Sequence, residues 1–295
     1  MLIDGRKIAA RLLAEVAEQV KKLPKTPRLA AVLACPPLAA PSGAGRRVGP
    51  DSEAGKLSKK FLLLKQKAAE QAGIGFQLYE LSDQLSTEEL CAEVSRISAA
   101  PENDGVLVEL PLPPHVDKQL VLDAVAWEKD VDVLSSQGQT AYYSDQSKIL
   151  PPAVEAVKAI FEEYKVELKD KTCAVFGSGL LVGRPVAHWL KQQGAKVLII
   201  DEFTGAPEQI SITADIIITG VGPIRKSVTS NGVKQTHLIT ADMIKAGVVV
   251  IDFGSDVDFE AVSQKASLIT PPTGGVGPIV VASVLRNLLI LQKTA

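Results

Sequence analysis

The sequence predicts an α/β protein of two domains, each built on a parallel sheet with crossover helices. Three observations carry this. From residue 28 onward, apolar runs of strand length alternate with amphipathic segments of helix length, the order that parallel strands joined by crossover helices require. The pattern stops at Leu150-Pro151-Pro152 and then restarts. An apolar run at 172–176 leads straight into Gly177-Ser178-Gly179 and a helix-compatible stretch through Leu190. With 295 residues the chain suits two such domains, or one large one, and either length buries an ample core.

The elements follow in order. The opening MLIDGRKIAARLLAEV is amphipathic and charged throughout, unlike a signal peptide, and predicts a helix from Gly5 to Lys22 stopped by Pro24 and Pro27. Arg28–Ala34 reads as a buried strand. The next stretch, from Cys35 to Lys60, is rich in Pro, Gly, Ala and Ser and reads as a long irregular excursion. Phe61–Ala72 is a helix ended by Gly73; Phe76–Leu81 is a strand, Thr87–Ala99 a helix, Gly105–Leu110 a strand and Lys118–Val125 a helix. WEKDVDVLS, from Trp127, is a loop. Beyond the proline pair come a helix at Ala153–Lys165, a strand at Thr172–Phe176 and a helix at Val182–Gln193. Strands follow at Lys196–Asp201, Ile216–Thr219 and Val248–Asp252, with a turn at Ile210–Thr213 and a turn or helix at Ala241–Ile244. Pro278–Gln292 forms the last helix.

Composition excludes several function classes. A formal net charge of −2 and an aromatic content of 4% give neither a basic surface nor a base-stacking platform, so no nucleic-acid partner is expected. No apolar run reaches membrane-spanning length, and no membrane partner is expected. Cys35, Cys91 and Cys173 are odd in number and in no metal-ligand spacing; they read as reduced thiols of a cytoplasmic protein. His115, His188 and His237 are dispersed and read as surface or packing residues.

The turn at 177–183 carries the first chemistry. Strand, glycine-rich turn and helix together bind the pyrophosphate of a dinucleotide: glycines let the backbone approach the phosphates, and helix N-terminal amides meet their charge. Gly177, Gly179 and Gly183 make the spacing GxGxxxG rather than GxGxxG, which is moderately specific. A glycine turn in some other α/β domain is the competing reading.

Four further segments occur in a telling order: DGVLVELPLPPHVD at 104–117, KDVD at 129–132, VGRP at 182–185 and PPTGGVGPIVVAS at 271–283. With LIDGRKIA near the start and FLLLKQKAAEQAGI at 61–74, the set resembles the bifunctional methylenetetrahydrofolate dehydrogenase/methenyltetrahydrofolate cyclohydrolase family, over essentially the whole chain apart from the excursion. The resemblance implies a folate-binding catalytic domain (1–149 plus 271–295) and a Rossmann-type NAD(P)-binding domain (150–270) flanking a cleft, with the last helix packing back on the first domain. It implies oxidation of 5,10-methylenetetrahydrofolate by NAD(P)+, then hydrolysis of the methenyl product to 10-formyltetrahydrofolate. It implies a homodimer through the nucleotide domain, and no metal.

Residue by residue, Lys65 aligns with the family's catalytic lysine; by position alone it would read as one more solvated helix lysine. Four residues earlier, on the same helix face, the family has tyrosine and this chain has Phe61, whose ring still packs on substrate but offers no hydroxyl. Glu109 stands where the family has glutamine. A carboxylate there pairs with the Lys65 ammonium and favours its protonated form, weakening it as a proton acceptor. Asp132 matches the aspartate that receives pterin N–H groups, and Asp130 reads as structural. Val133 replaces a glycine, and a residue without freedom at φ > 0 is expected to reshape the loop. Pro151-Pro152-Ala153-Val154 replaces a proline-cysteine-threonine-proline run, which alters the expected local geometry. Pro271, Gly274 and Gly275 belong to a glycine-rich run that approaches substrate.

On the nucleotide side, Asp201 lies 24 residues after Gly177, near the place where an acid holds the ribose 2′-OH of NAD and repels the 2′-phosphate of NADP. Ser178, Asp201 and Glu202 occupy the pocket; Arg184 is the nearest cation but belongs to the VGRP turn. The balance favours NAD over NADP. An Asp201 that merely caps the next turn is the competing reading. Removing residues 34–47 would join LAAVL to VGPDSEAG, as in the family, so this segment reads as an insertion that covers or disturbs the folate site. A rival function is a diverged relative that binds folate or nucleotide without turnover, motivated by the departures at Phe61, Glu109, Val133 and 151–154. A different two-domain dehydrogenase, with another acid/base, is the third.

Overall fold

The computed structural model describes residues 1–35, 53–222, 228–230, 233–235 and 237–293. Of the expected excursion and the insertion at 34–47, residues 36–52 fall outside the described residues; residues 34 and 35 continue a strand, and residues 53–60, expected as irregular, open a helix. The chain divides into two compact units: residues 11–151 with 281–295, and residues 1–10 with 152–280.

The first unit, which contains Lys65, has a three-stranded parallel sheet. Strand β1 (Arg28–Cys35) lies between β2 (Gly75–Ser82) and β3 (Gly105–Val108). The residues Leu29–Val32 are at most 1% exposed, as a continuous apolar strand covered on both faces should be. Helix α1 (Gly5–Val20) precedes the sheet, and α2 (Glu53–Gln71) and α3 (Thr87–Ala99) make the crossovers. Ser86 starts α3 with a reciprocal capping box to Glu89, which satisfies two otherwise orphaned donors. Helix α4 (Lys118–Asp123) starts at the Asp117 cap. The expected loop from Trp127 contains a 3-10 turn (Trp127–Lys129), and an unforeseen helix, α5 (Ser136–Tyr143), follows it. Helix α5 hides from periodicity because SQGQTAYY presents hardly any apolar face; the Ser135 side chain caps it by accepting from the Gly138 amide.

The glycine-turn unit opens with α6 (Pro152–Tyr164), proline in its first turn, where the missing N–H costs nothing. It holds a five-stranded parallel sheet ordered β10-β9-β6-β4-β5, with β4 (Thr172–Phe176), β5 (Lys196–Ile200), β6 (Ile216–Thr219), β9 (Val249–Asp252) and β10 (Leu268–Ile269). Helix α7 (Gly183–Gln192) joins β4 to β5. The chain then returns through α8 (Pro207–Ser211) to β6 on the other side of β4. Residues 210–213, expected as a turn, therefore start inside that helix. A hairpin of β7 (Val228–Ser230) and β8 (Val233–Gln235), a short helix α9 (Phe259–Ser263) and β10 itself complete what the sequence did not suggest. The core packs Ala174, Phe176, Ile217, Ile239, Val250 and Val262.

The first residues of the chain belong to this second unit. Leu2 bridges Ile269 in parallel, Ile3 N–H donates to the Ile269 carbonyl at 2.9 Å, and Ile269 N–H donates to the Met1 carbonyl at 3.1 Å. The last helix, α10 (Val276–Gln292), has its residues from Val281 onward in the Lys65 unit. Among the described residues no helix is long and apolar enough to cross a membrane.

Candidate active site

Lys65 and Glu109 meet in the interior of their unit. Lys65 lies on α2 and is 8% exposed, and Glu109, just past β3, is 7% exposed. The Lys65 ammonium donates directly to Glu109 Oε1. The Glu109 amide donates to the Val32 carbonyl at 2.9 Å, so its backbone is locked to the sheet. Taking two charges out of water costs several kcal/mol per ion, about what a close hydrogen-bonded pair recovers; such a pair persists as a unit. Phe61, half-buried, sits one helical turn before Lys65.

Asp132 shares this neighbourhood. Burial pushes its carboxyl up to about 6; the Lys65 charge opposes the rise, and the Asp130 and Glu109 carboxylates add to it. No side-chain hydrogen bond occupies its carboxylate among the described residues. The group is a poised acceptor: ionised near neutral pH, close to a cation, and free to receive N–H donors.

The turn that presents Asp132 is built by its neighbours. Asp130 is 5% exposed and accepts from the Ser135 amide at 2.8 Å, the Ser135 hydroxyl at 2.7 Å and the Asp132 amide at 3.3 Å. Burial raises the Asp130 carboxyl while these bonds oppose the rise. Its role is structural, as the sequence suggested. Lys129 is structural too, donating to the Ser98 and Ala100 carbonyls at the end of α3 at 2.8 and 2.9 Å.

Val133 corrects an expectation. It takes the left-handed backbone a glycine would take, with φ 58°, so the turn keeps that conformation. The side chain is 4% exposed, and its packing, with the Asp130 bonds on either side, offsets a strain of about 1–3 kcal/mol. The sequence also missed Asn287. This residue of α10 is 2% exposed and donates to the Val131 carbonyl and the Leu150 carbonyl, both at 2.9 Å. An asparagine amid the apolar run of the last helix was the available signal. Ala153 and Val154 are buried in the first turns of α6.

In the other unit, Gly177 N–H donates to the Ile200 carbonyl at 2.7 Å and has φ 89°. Gly183, at the start of α7, is buried against the turn: a Cβ there would stand 2.0 Å from the Gly177 carbonyl oxygen. Only glycine permits this helix–strand approach. Ser178, Gly179 and Arg184 are exposed, and a Cβ on Gly179 would meet nothing within 4 Å. Among the described residues no side chain caps α7. The turn also follows β4, where the strand order reverses between β5 and β6. These features fit a dinucleotide pyrophosphate laid against helix amides.

Asp201 caps the next turn. Its Oδ1 accepts from the Phe203 amide and the Thr204 hydroxyl, both at 3.0 Å. The competing sequence reading of Asp201 thus describes one of its oxygens. Glu202 beside it is exposed.

Pro271, Gly274 and Gly275 lie in the glycine-turn unit. Gly274 has φ 78°, and a Cβ on Gly5 would overlap the Gly275 carbonyl oxygen at 1.7 Å; the run packs against the start of α1. The structure therefore places the site residues in two sets, Phe61, Lys65, Glu109 and Asp132 in one unit, and the glycine turn, Asp201 and the 271–275 run in the other.

Cys91 and Cys173 are free thiols, and burial pushes the Cys173 thiol up to about 12. Among the described residues no group of three His, Cys, Asp or Glu could hold a metal ion.

Comparison with known proteins covers both units. Residues 151–295 match the model of the tetrahydrofolate dehydrogenase/cyclohydrolase NAD(P)-binding domain, and residues 45–132 match that of the corresponding catalytic domain. The chain is 36% identical over 253 residues to the bifunctional protein FolD of Mycoplasmopsis synoviae, covering 80% of this chain and 85% of that one. It is 33% identical over 305 residues to FolD of Nautilia profundicola, covering 99% and 97%. Among solved structures, FolD from Campylobacter jejuni superposes with a TM-score of 0.84 at 30% identity, covering 100% and 99%. The Trypanosoma brucei enzyme, solved with NADP and an inhibitor, gives 0.84 at 28%, covering 100% and 97%. A two-unit α/β architecture, a glycine turn at the reversal of the strand order and these matches along the chain converge on one assignment: the protein belongs to the tetrahydrofolate dehydrogenase/cyclohydrolase family.

Proposed function

We propose that the chain oxidises 5,10-methylenetetrahydrofolate with NAD(P)+ and hydrolyses the methenyl product, the dehydrogenase being the stronger activity. The observation that carries this is the buried Lys65–Glu109 pair beside the raised Asp132 carboxyl. The dinucleotide, when bound, supplies the hydride acceptor. Asp132 anchors the pterin by accepting its 2-amino and ring N–H groups. Phe61 packs on the folate rings, and Pro271, Gly274 and Gly275 approach the substrate. Hydride transfer asks chiefly for positioning. Hydrolysis also asks Lys65 to take a proton from the attacking water, and here its amine is already engaged by the Glu109 carboxylate. That is why hydrolysis is the weaker step. A binding-only relative is not favoured, because Lys65 and Asp132, the two side chains the reaction uses, lie close enough for their charges to interact.

Gly177, Ser178, Gly179, Gly183 and Arg184 hold the pyrophosphate, and Asp201, with Glu202, faces the adenosine ribose. The Oδ1 of Asp201 serves its turn, which leaves Oδ2 for a ribose hydroxyl and favours NAD. The Trypanosoma brucei structure contains NADP, so the preference is a property of these side chains rather than of the family. Purified protein assayed with each nucleotide is expected to reduce NAD+ in preference to NADP+. Asp201→Ser should move the ratio of kcat/KM values toward NADP+ about tenfold, roughly 1.4 kcal/mol. Reduction of neither nucleotide would sink the proposal.

The same unit supports a homodimer. Strand β5 is at the sheet edge, where Leu198 and Ile199 are 41% and 38% exposed. An apolar open edge is a template for a second copy. Sedimentation should give a dimer, and Ile199→Lys should shift it to monomer.

A further inference from the structure

Asp256 follows β9 and is 4% exposed. Its Oδ2 accepts from the Thr219 hydroxyl at 2.7 Å and the Val221 amide at 2.9 Å, and its Oδ1 from the Gly222 amide at 3.1 Å. Thr219 is fully buried at the end of β6. One carboxylate therefore fixes Thr219, Val221 and Gly222 at the exit from β6. Asp252, at the end of β9, fixes the loop that carries Asp256 by accepting from the Gly254, Asp256 and Val257 amides at 2.8, 3.2 and 3.1 Å.

The β6 exit in turn presses on the glycine turn. Val221 Cγ2 lies 3.2 Å from where a Cβ on Gly177 would stand, and Val182 Cγ1 lies 2.9 Å from where one on Gly220 would stand. There is equally little slack behind it: a Cβ on Gly254 would be 2.6 Å from Asp256 Oδ2 and 2.8 Å from the Gly222 nitrogen. A displacement at Asp256 passes directly to Val221, and from there to Gly177. In open α/β sheets the ligand lies outside the carboxyl ends of the strands where the order reverses, the edge these two loops and the glycine turn form in common.

From this contact chain we infer that Asp256 is a positioning residue for dinucleotide binding, acting through Val221 and Gly222 on the glycine turn. It rests on the reading of that turn as the nucleotide site. Asp256→Asn keeps the shape but sets an amide donor against groups that are themselves donors. Thr219→Val removes one bond and keeps the volume.

The test measures dissociation constants for NADH and NADPH by nicotinamide fluorescence, for tetrahydrofolate by calorimetry, and the melting temperature. Asp256→Asn should weaken the preferred dinucleotide about tenfold or more, with tetrahydrofolate affinity within about twofold of the parent. A folded Asp256→Asn protein with unchanged dinucleotide affinity overturns the inference. So does parallel weakening of both ligands, which marks a general structural role. Where Asp256→Asn does not fold, Thr219→Val decides: a dinucleotide-selective loss of about threefold supports the inference, and no loss overturns it. A parent protein that binds neither nucleotide overturns the reading of the glycine turn itself.

Discussion

Lys65→Met is expected to lower cyclohydrolase kcat/KM by about 10²- to 10⁴-fold, the usual contribution of a positioned proton-transfer group. The same change leaves the Glu109 carboxylate buried without its partner, which costs about 3–5 kcal/mol of stability. Activity and stability would then fall together, and a single variant could not say why. Glu109→Gln separates the two effects. An amide still accepts from Lys65 but binds it less tightly than a carboxylate does, so the single Glu109→Gln protein should raise cyclohydrolase turnover relative to the parent. Lys65→Met with Glu109→Gln should recover most of the lost melting temperature and none of the lost activity. Both are read from thermal denaturation and from separate assays of methenyl and 10-formyl product. Recovery of activity in the double variant would show that Lys65 serves the fold rather than the reaction.

Asp132 should show opposite signs in function and stability. Its carboxyl is raised to about 6 in the folded chain, above the value of about 3.9 for an unperturbed aspartate. The folded state therefore holds the proton more tightly. The group's contribution to stability is fully present below about pH 4 and is lost as pH rises through about 6. Asp132→Asn should accordingly melt higher than the parent at pH 8, by a margin that shrinks toward pH 4. Folate recognition needs the ionised acceptor, so kcat/KM for methylenetetrahydrofolate should fall as pH drops through about 6. Asp132→Asn should flatten that limb and lower kcat/KM at pH 8 about 10- to 100-fold, the worth of a hydrogen bond to a charged group. A variant both less stable at pH 8 and fully active would contradict the assignment. A carboxylate that lowers stability while strengthening ligand binding is what the trade between activity and stability produces.

Helix α1, every strand of the two parallel sheets except β10, α3 and the glycine turn were legible because their signals are local: apolar runs, proline and glycine stops, and glycine spacing. Helix α5 was not, since its eight residues lack an apolar stripe and its start is fixed by the Ser135 cap. Strand β10 was missed for another reason. Two residues carry no periodicity, and Leu268–Ile269 is a strand because β9 runs beside it. In the site, Lys65, Glu109 and Asp132 could be named from the order of motifs, while Asn287 and Asp256 could not. Each of those two looks ordinary in sequence, and its meaning lies in the distant carbonyls and amides it holds.

By itself the sequence determined the two-sheet α/β plan, the glycine turn and the identity of the candidate site residues, all properties of short windows read in order. Tertiary structure decided the rest. It set Lys65 against a carboxylate 44 residues away, gave Val133 the left-handed backbone a glycine would hold, committed one oxygen of Asp201 to its own turn, and sent Met1–Ile3 to pair with Ile269. These outcomes are won by packing and by satisfying buried polar groups. Both depend on which surfaces meet, and no local pattern encodes that.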